Sequence, residues 1–154
     1  MVKYVDDIAT ETVPPLIDHV GWRLLRAGQL WERRFRGDMV KAGYAWFREA
    51  RASVIPYLDR QGTRQADLVT RMGLSKQAVQ QLVAALVDDG VLQRHPDPDD
   101  GRAHLVAFSA SGLKMLTVAN DVKLAIENDF RRALGDAEFS ELTAALDRLL
   151  RSGV

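Results

Sequence analysis

Cysteine is absent from this 154-residue chain, which excludes disulfides, thiolate metal sites and a cysteine redox switch. The absence fits a reducing compartment, and a cytoplasmic location is expected. Histidine is scarce. His19, His95 and His104 are scattered, and they read as surface residues rather than as metal ligands. No apolar run approaches the ~20 residues of a membrane-spanning helix. The opening MVKYVDDIATETVPP lacks the charged flank and apolar centre of a signal peptide. A soluble protein with no membrane partner is therefore expected. Excess charge is lacking too, because 21 Lys and Arg balance 21 Asp and Glu. That argues against a protein that coats nucleic acid by bulk charge, and leaves local placement of Lys and Arg as the relevant quantity. Catalytic signatures are missing: there is no HExxH, no phosphate-binding glycine loop and no Gly-x-Ser-x-Gly. The carboxylate pairs Asp88-Asp89 and Asp99-Asp100 fall at element ends or turns, where solvated charge is ordinary. No catalytic residue, metal or cofactor is expected.

What is present is mostly helical periodicity. After Pro14-Pro15, the residues Ile17, Val20, Leu24, Ala27, Trp31 and Phe35 recur at three- and four-residue steps, which marks one face of a helix. Gly37 and Gly43 are expected to loosen or end it. A second helix is predicted from about Tyr44 to Arg60, buried through Phe47, Ala50, Val54, Tyr57 and Leu58 and kinked or split by Pro56. Thr63 is the expected N-cap of a helix reaching Met72, which Gly73 ends. Ser75 is expected to cap a helix from Lys76 to Asp89, ended by Gly90. Two short helices joined by Gly73-Leu74-Ser75 indicate a helix-turn-helix.

The period then changes to two. Val91 to His95 and His104 to Phe108 read as strands around the turn-forming Pro96-Asp97-Pro98-Asp99-Asp100-Gly101. Ser109 is predicted to cap a helix carrying Leu113, Leu116, Leu124 and Phe130. Asp136 is predicted to cap a last helix carrying Phe139, Leu142, Leu146 and Leu149. A helix-turn-helix followed at once by a hairpin is a winged helix.

The stretch Thr63-Arg-Gln-Ala-Asp-Leu-Val-Thr-Arg-Met-Gly-Leu-Ser-Lys-Gln-Ala-Val-Gln-Gln-Leu-Val83 resembles the helix-turn-helix of the MarR (multiple antibiotic resistance regulator) family. Asp97-Pro-Asp-Asp-Gly-Arg102 and Leu105-Val-Ala-Phe-Ser-Ala-Ser-Gly112 are similar to that family's wing and the start of its next helix. The resemblance implies a mainly α fold: a winged helix-turn-helix with a two-stranded β wing, and N- and C-terminal helices that interlock in a homodimer. The implied divisions are 1–43 and 110–154 for dimerisation and 44–109 for DNA binding. It also implies a transcriptional regulator, in many relatives a repressor, that binds a palindromic double-stranded operator and releases it when a small, often aromatic or anionic, molecule binds.

The residues support that reading on their own chemistry. Ala78, Val79, Leu82 and Leu86 form the inward stripe of the Lys76 helix. Ser75, Lys76, Gln77, Gln80 and Gln81 stand elsewhere on it; glutamine suits adenine N6 and N7, while Ser and Lys suit phosphate or base acceptors. A merely solvated face is the alternative. Arg102 suits a narrow, negative minor groove. In the family the wing arginine enters that groove and a neighbouring Asp orients it, roles that Asp100 and Arg102 match; an exposed ion pair is the alternative. The chain departs from the family at Gly101, Gln81 and Ala85, where relatives often carry arginine. Between Arg60 and His104, six basic residues meet six aspartates, so few phosphate contacts and a shallow salt dependence are expected. This balance motivates the alternative of a winged-helix protein-interaction module.

A second face of the first helix carries His19, Trp22 and Arg26, with Trp46 and Phe47 beginning the next helix. An aromatic ring beside a cation can hold an aromatic acid, so these five are candidate effector-binding residues. A dimer interface would use the same residue types.

Overall fold

The computed structural model describes residues 17–98, 100 and 104–153. Helix α1 (Val20–Lys41) runs unbroken through Gly37. It ends at Gly43, in the left-handed region at φ 101°. There the Gly43 N–H donates to Val40 O and the Tyr44 N–H to Met39 O, both at 3.0 Å. This is a Schellman closure that satisfies two end carbonyls. Only the C-terminal half of α1 packs: Trp31 and Phe35 are half-buried and Met39 is fully buried, whereas Ile17, Val20 and Leu24 of the expected stripe are exposed.

The predicted second helix does not form as an α-helix. Two 3-10 segments, Ala45–Arg48 and Ala50–Tyr57, take its place. The break falls at Glu49, whose backbone is extended (φ −97°, ψ 161°), and Pro56 is accommodated inside the second segment. Its buried residues are Phe47, Ala52 and Val54; Ala50 and Tyr57 are exposed. The i to i+3 bonds of a 3-10 helix change which residues share a face, so a reading at 3.6 residues per turn misplaces them. Arg51 ties the break to the next module, pairing with Glu49 and with Asp89, each at 2.8 Å.

Strand β1 (Thr63–Arg64) leads into α2 (Gln65–Met72), and the left-handed Gly73 turns the chain into α3 (Lys76–Asp88). Thr63 is not the N-cap of α2: Arg64 occupies that position, and its side chain makes no bond to the helix's end N–H groups. Thr63 is buried, and its hydroxyl accepts from the Asp59 N–H at 2.8 Å. Ser75 does cap α3, accepting from the Ala78 N–H at 3.2 Å. Gly90 ends that helix with a second Schellman closure, Gly90 N–H to Val87 O and Val91 N–H to Leu86 O, both at 2.9 Å.

Strands β2 (Leu92–Pro96) and β3 (His104–Phe108) form the hairpin, with Leu92 opposite Phe108 and Pro96 opposite His104. The wing thus has the expected two strands, and β1 adds a short third: the antiparallel order is β1-β3-β2, with Thr63 opposite Val106. Val106 and Phe108 face the core, as the alternation predicts.

Helix α4 (Ala110–Leu134) is capped by Ser109, which accepts from the Gly112 N–H at 3.0 Å. Its buried face is Gly112, Met115, Ala119 and Ile126. Leu113 and Leu124, expected inside, are 53% and 59% exposed. The small residues set the phase, because they let the helix backbone approach its neighbours closely. Helix α5 (Asp136–Ser152) is capped by Gly135 rather than Asp136, and buries no residue fully. Asp136 instead sits in the first turn, favourable to the helix dipole. Arg34 of α1 pairs with Asp129 of α4, and Asp129 also pairs with Arg132. The core gathers Met39, Phe47, Val54, Leu68, Val79, Val83, Leu86, Leu92, Val106, Phe108 and Met115 from the helices α1 to α4, the 3-10 segments and strands β2 and β3.

Candidate nucleic-acid interface

Helix α3 is anchored through Val79, Val83 and Leu86, all fully buried, with Ala78 and Leu82 partly so. Their spacing leaves Ser75, Lys76, Gln77, Gln80 and Gln81 exposed. The structure therefore puts all five sequence-predicted residues of this helix on its solvent side. The Ser75 hydroxyl is engaged as the cap. Lys76, Gln77, Gln80 and Gln81 present an ammonium and three amides, which offer paired donors and acceptors at the entry of a helix about 20 Å long. An α-helix fits within a major groove, and these side chains suit the base edges exposed there.

The wing stands beside this helix. Asp100 is exposed. Arg102 lies outside the described residues. The side chain of Asp97, which the sequence places in the turn and in the wing motif, goes inside: it is 1% exposed, with Oδ2 2.5 Å from Arg64 Nε. Among the described residues no group of three His, Cys, Asp or Glu is placed to hold a metal, and no helix is long and apolar enough to cross a membrane.

A cavity of about 670 Å³ lies on the other side of the core. Trp31, Phe35, Phe47, Tyr57 and Phe108 supply its aromatic lining, with Arg36, Arg60 and Lys123 at its edges. Trp31 stacks on Phe35 at 5.1 Å between centroids, and Phe35 meets Phe47 edge-on at 5.6 Å. Lys123 Nζ is 5.9 Å from the Phe35 ring centre. Arg36 is held by Glu32 at 2.7 Å and by the Phe47 carbonyl at 3.1 Å. Of the five candidate effector residues, only Phe47 lines this space. Trp46 stacks on Phe47 at 4.4 Å but does not line it. His19, Trp22 and Arg26 are exposed near the start of α1, before the part of the helix that reaches the cavity. The i, i+4 pair Trp31 and Phe35 was visible in the sequence, but as part of a core stripe. Only the convergence of α1, the 3-10 segments, β3 and α4 turns it into a cavity wall.

A family model described as MarR family matches residues 50–103, the second 3-10 segment through the wing. No curated protein matches the chain. Solved structures do. The apo form of MarR from E. coli superposes with a TM-score of 0.68 at 18% identity, covering 88% of this chain and 99% of that one. A transcriptional regulator from Thermotoga maritima gives 0.62 at 21% identity, covering 86% and 92%. A MarR-family transcriptional regulator from a Rhodococcus species gives 0.63 at 21% identity, covering 84% and 91%.

Proposed function

We propose, from a fold that matches solved MarR-family structures and a MarR family model that matches residues 50–103, that the chain is a DNA-binding transcriptional regulator, a repressor rather than an enzyme, acting in the cytoplasm as a dimer on a palindromic operator. The observation that carries this reading is the exposed Lys76, Gln77, Gln80 and Gln81 face, held rigidly by Val79, Val83 and Leu86 beside the wing. In this reading Ser75, Lys76 and the three glutamines meet a major groove, while Arg102, oriented by Asp100, meets the flanking minor groove. Residues 44–109 form the DNA-binding unit and the flanking 1–43 and 110–154 the dimerisation region. The exposed apolar residues Val20, Leu24, Leu113, Leu142 and Leu149 support the dimer, because covering such residues is what a large, core-like interface does. His19, Trp22 and Arg26 then belong to that interface.

The aromatic cavity supports a small-molecule effector, an aromatic acid seated on Phe35 and Phe47 with its carboxylate toward Lys123 or Arg60. Such a ligand weakens DNA binding only if it prefers the non-binding conformation.

Selection of bound sequences from a random duplex pool tests the function. An inverted repeat with half-sites ~34–36 Å apart, one helical turn, is the expected result. Recovery of no common sequence, with a stable fold, would favour a protein-interaction module instead, the reading that the balanced charge of the winged region would then support.

A further inference from the structure

The buried carboxylate of Asp97 is not explained by a role in a surface turn. It follows β2 directly, and its side chain is 1% exposed. Its partner Arg64 lies 33 residues earlier, with Nε 2.5 Å from Asp97 Oδ2. Arg64 is the last residue of β1 and the N-cap of α2, so one ion pair joins the entrance of the wing turn to the entrance of the helix-turn-helix. Removing a carboxylate from water costs several kcal/mol, and a partner of good geometry roughly repays it. Net stability is thus a poor reason for the pair. A defined position is a better one: β1 is only two residues long and meets β3 through Thr63–Val106 and Arg64–Leu105 alone. A two-residue ladder is a weak tether for a projecting hairpin, and an ion pair at the turn end of its strands, just past the Pro96–His104 pair, restrains the hairpin beyond that ladder.

We propose that Arg64 and Asp97 are positioning residues, a clasp that holds the wing at a set angle to α2 and α3 so that helix and wing meet the duplex together. This rests on the DNA-binding reading above, but the clasp has a signature of its own. Asp97→Asn keeps the size of the side chain and removes the charge. Arg64→Met removes the guanidinium from a half-exposed site, and Arg64→Lys retains the charge on a different geometry.

The test combines three measurements on the full-length protein and each variant: urea unfolding, the order of the His104–Phe108 amides by heteronuclear NOE, and affinity for the selected operator and for the same operator with exchanged flanks. The expected result is cooperative unfolding in every variant and lowered order at His104 and Leu105 in Asp97→Asn and Arg64→Met, with partial return in Arg64→Lys. Operator affinity falls about tenfold, within the range for one lost groove contact, and the preference between flanks is lost while preference within the half-sites survives. Should Asp97→Asn fail to fold, the two Arg64 variants carry the same comparison. Unchanged amide order in the folded variants would overturn the clasp. So would recovery of operator affinity when a distant stabilising substitution is added, since the pair would then act through stability alone. If the wild-type protein selects no DNA, the functional reading fails, while the amide measurements still decide whether the clasp exists.

Discussion

Replacing Gly112 by alanine would place a Cβ 2.1 Å from the carbonyl oxygen of Val91 and 3.2 Å from Phe108 Cδ1. The first of these is a backbone atom and cannot swing aside. It is also fastened: Val91 O accepts from the Ser109 N–H at 3.0 Å, and the Ser109 hydroxyl that caps α4 lies 2.5 Å from Gly90 O. The first turn of α4 must therefore lift off the start of the wing. Overpacking of a tight core costs about 1–3 kcal/mol. The Ser109–Val91 bond, stretched or lost, adds about 1 kcal/mol. Alanine's better helix propensity returns about 1 kcal/mol. The expected net loss is thus about 1–3 kcal/mol, a large part of a typical folding free energy. Gly37 provides the control. It too lies within a helix, but a methyl group added there would meet nothing within 4 Å. Gly37→Ala should therefore stabilise by up to about 1 kcal/mol. Urea unfolding at one fixed protein concentration reads both, because in the proposed dimer the midpoint would move with concentration. The expected shift for Gly112→Ala is roughly 1 M to lower urea for an m-value of about 2 kcal/mol/M. A Gly112→Ala midpoint at or above wild type would refute the close approach, and equal losses at both glycines would refute the claim that local space decides the sign.

Gln77→Ala should lose about 1–3 kcal/mol on the selected operator and little on random duplex, because base contacts carry the sequence information. Fluorescence anisotropy reads both, and equal losses on every duplex would mean that α3 does not read sequence. Arg51→Ala should lower stability by about 1 kcal/mol, because it leaves Asp89 unneutralised at the unfavourable C-terminal end of the α3 dipole; an unchanged urea midpoint would contradict this. The Asp38 carboxyl is held below its usual value of 3.8, first by the hydrogen bond from Lys41 and, against opposing desolvation, by the charges of Lys41 and Arg34. A depressed carboxylate stabilises above its unfolded pKa, and that contribution is lost as pH falls through the folded value. The stability difference between wild type and Asp38→Asn should therefore be full at neutral pH and shrink in the acid range below 3.8. A difference that stays constant through that range would rule out the linkage.

Much of the fold was legible because its causes lie within a few residues of one another. Ser75 and Ser109 cap α3 and α4 through bonds to the third residue on. Gly43, Gly73 and Gly90 end helices by adopting positive φ, and the alternation of Val106 and Phe108 exposes the strand period. The polar face of α3 follows from the same local periodicity, which is why the proposed DNA-reading residues could be named from sequence. Tertiary structure decided the rest. The second helix became two 3-10 segments broken at Glu49, although proline propensity pointed to Pro56. Thr63 turned from a cap into a buried bridge to Asp59 once β3 paired beside it. The phase of α4 was set by Gly112 and Ala119, where backbones approach, rather than by its largest leucines. The Arg64–Asp97 pair and the aromatic cavity join segments far apart in the chain. No local propensity encodes such contacts, because their energy exists only after the core has brought those segments together.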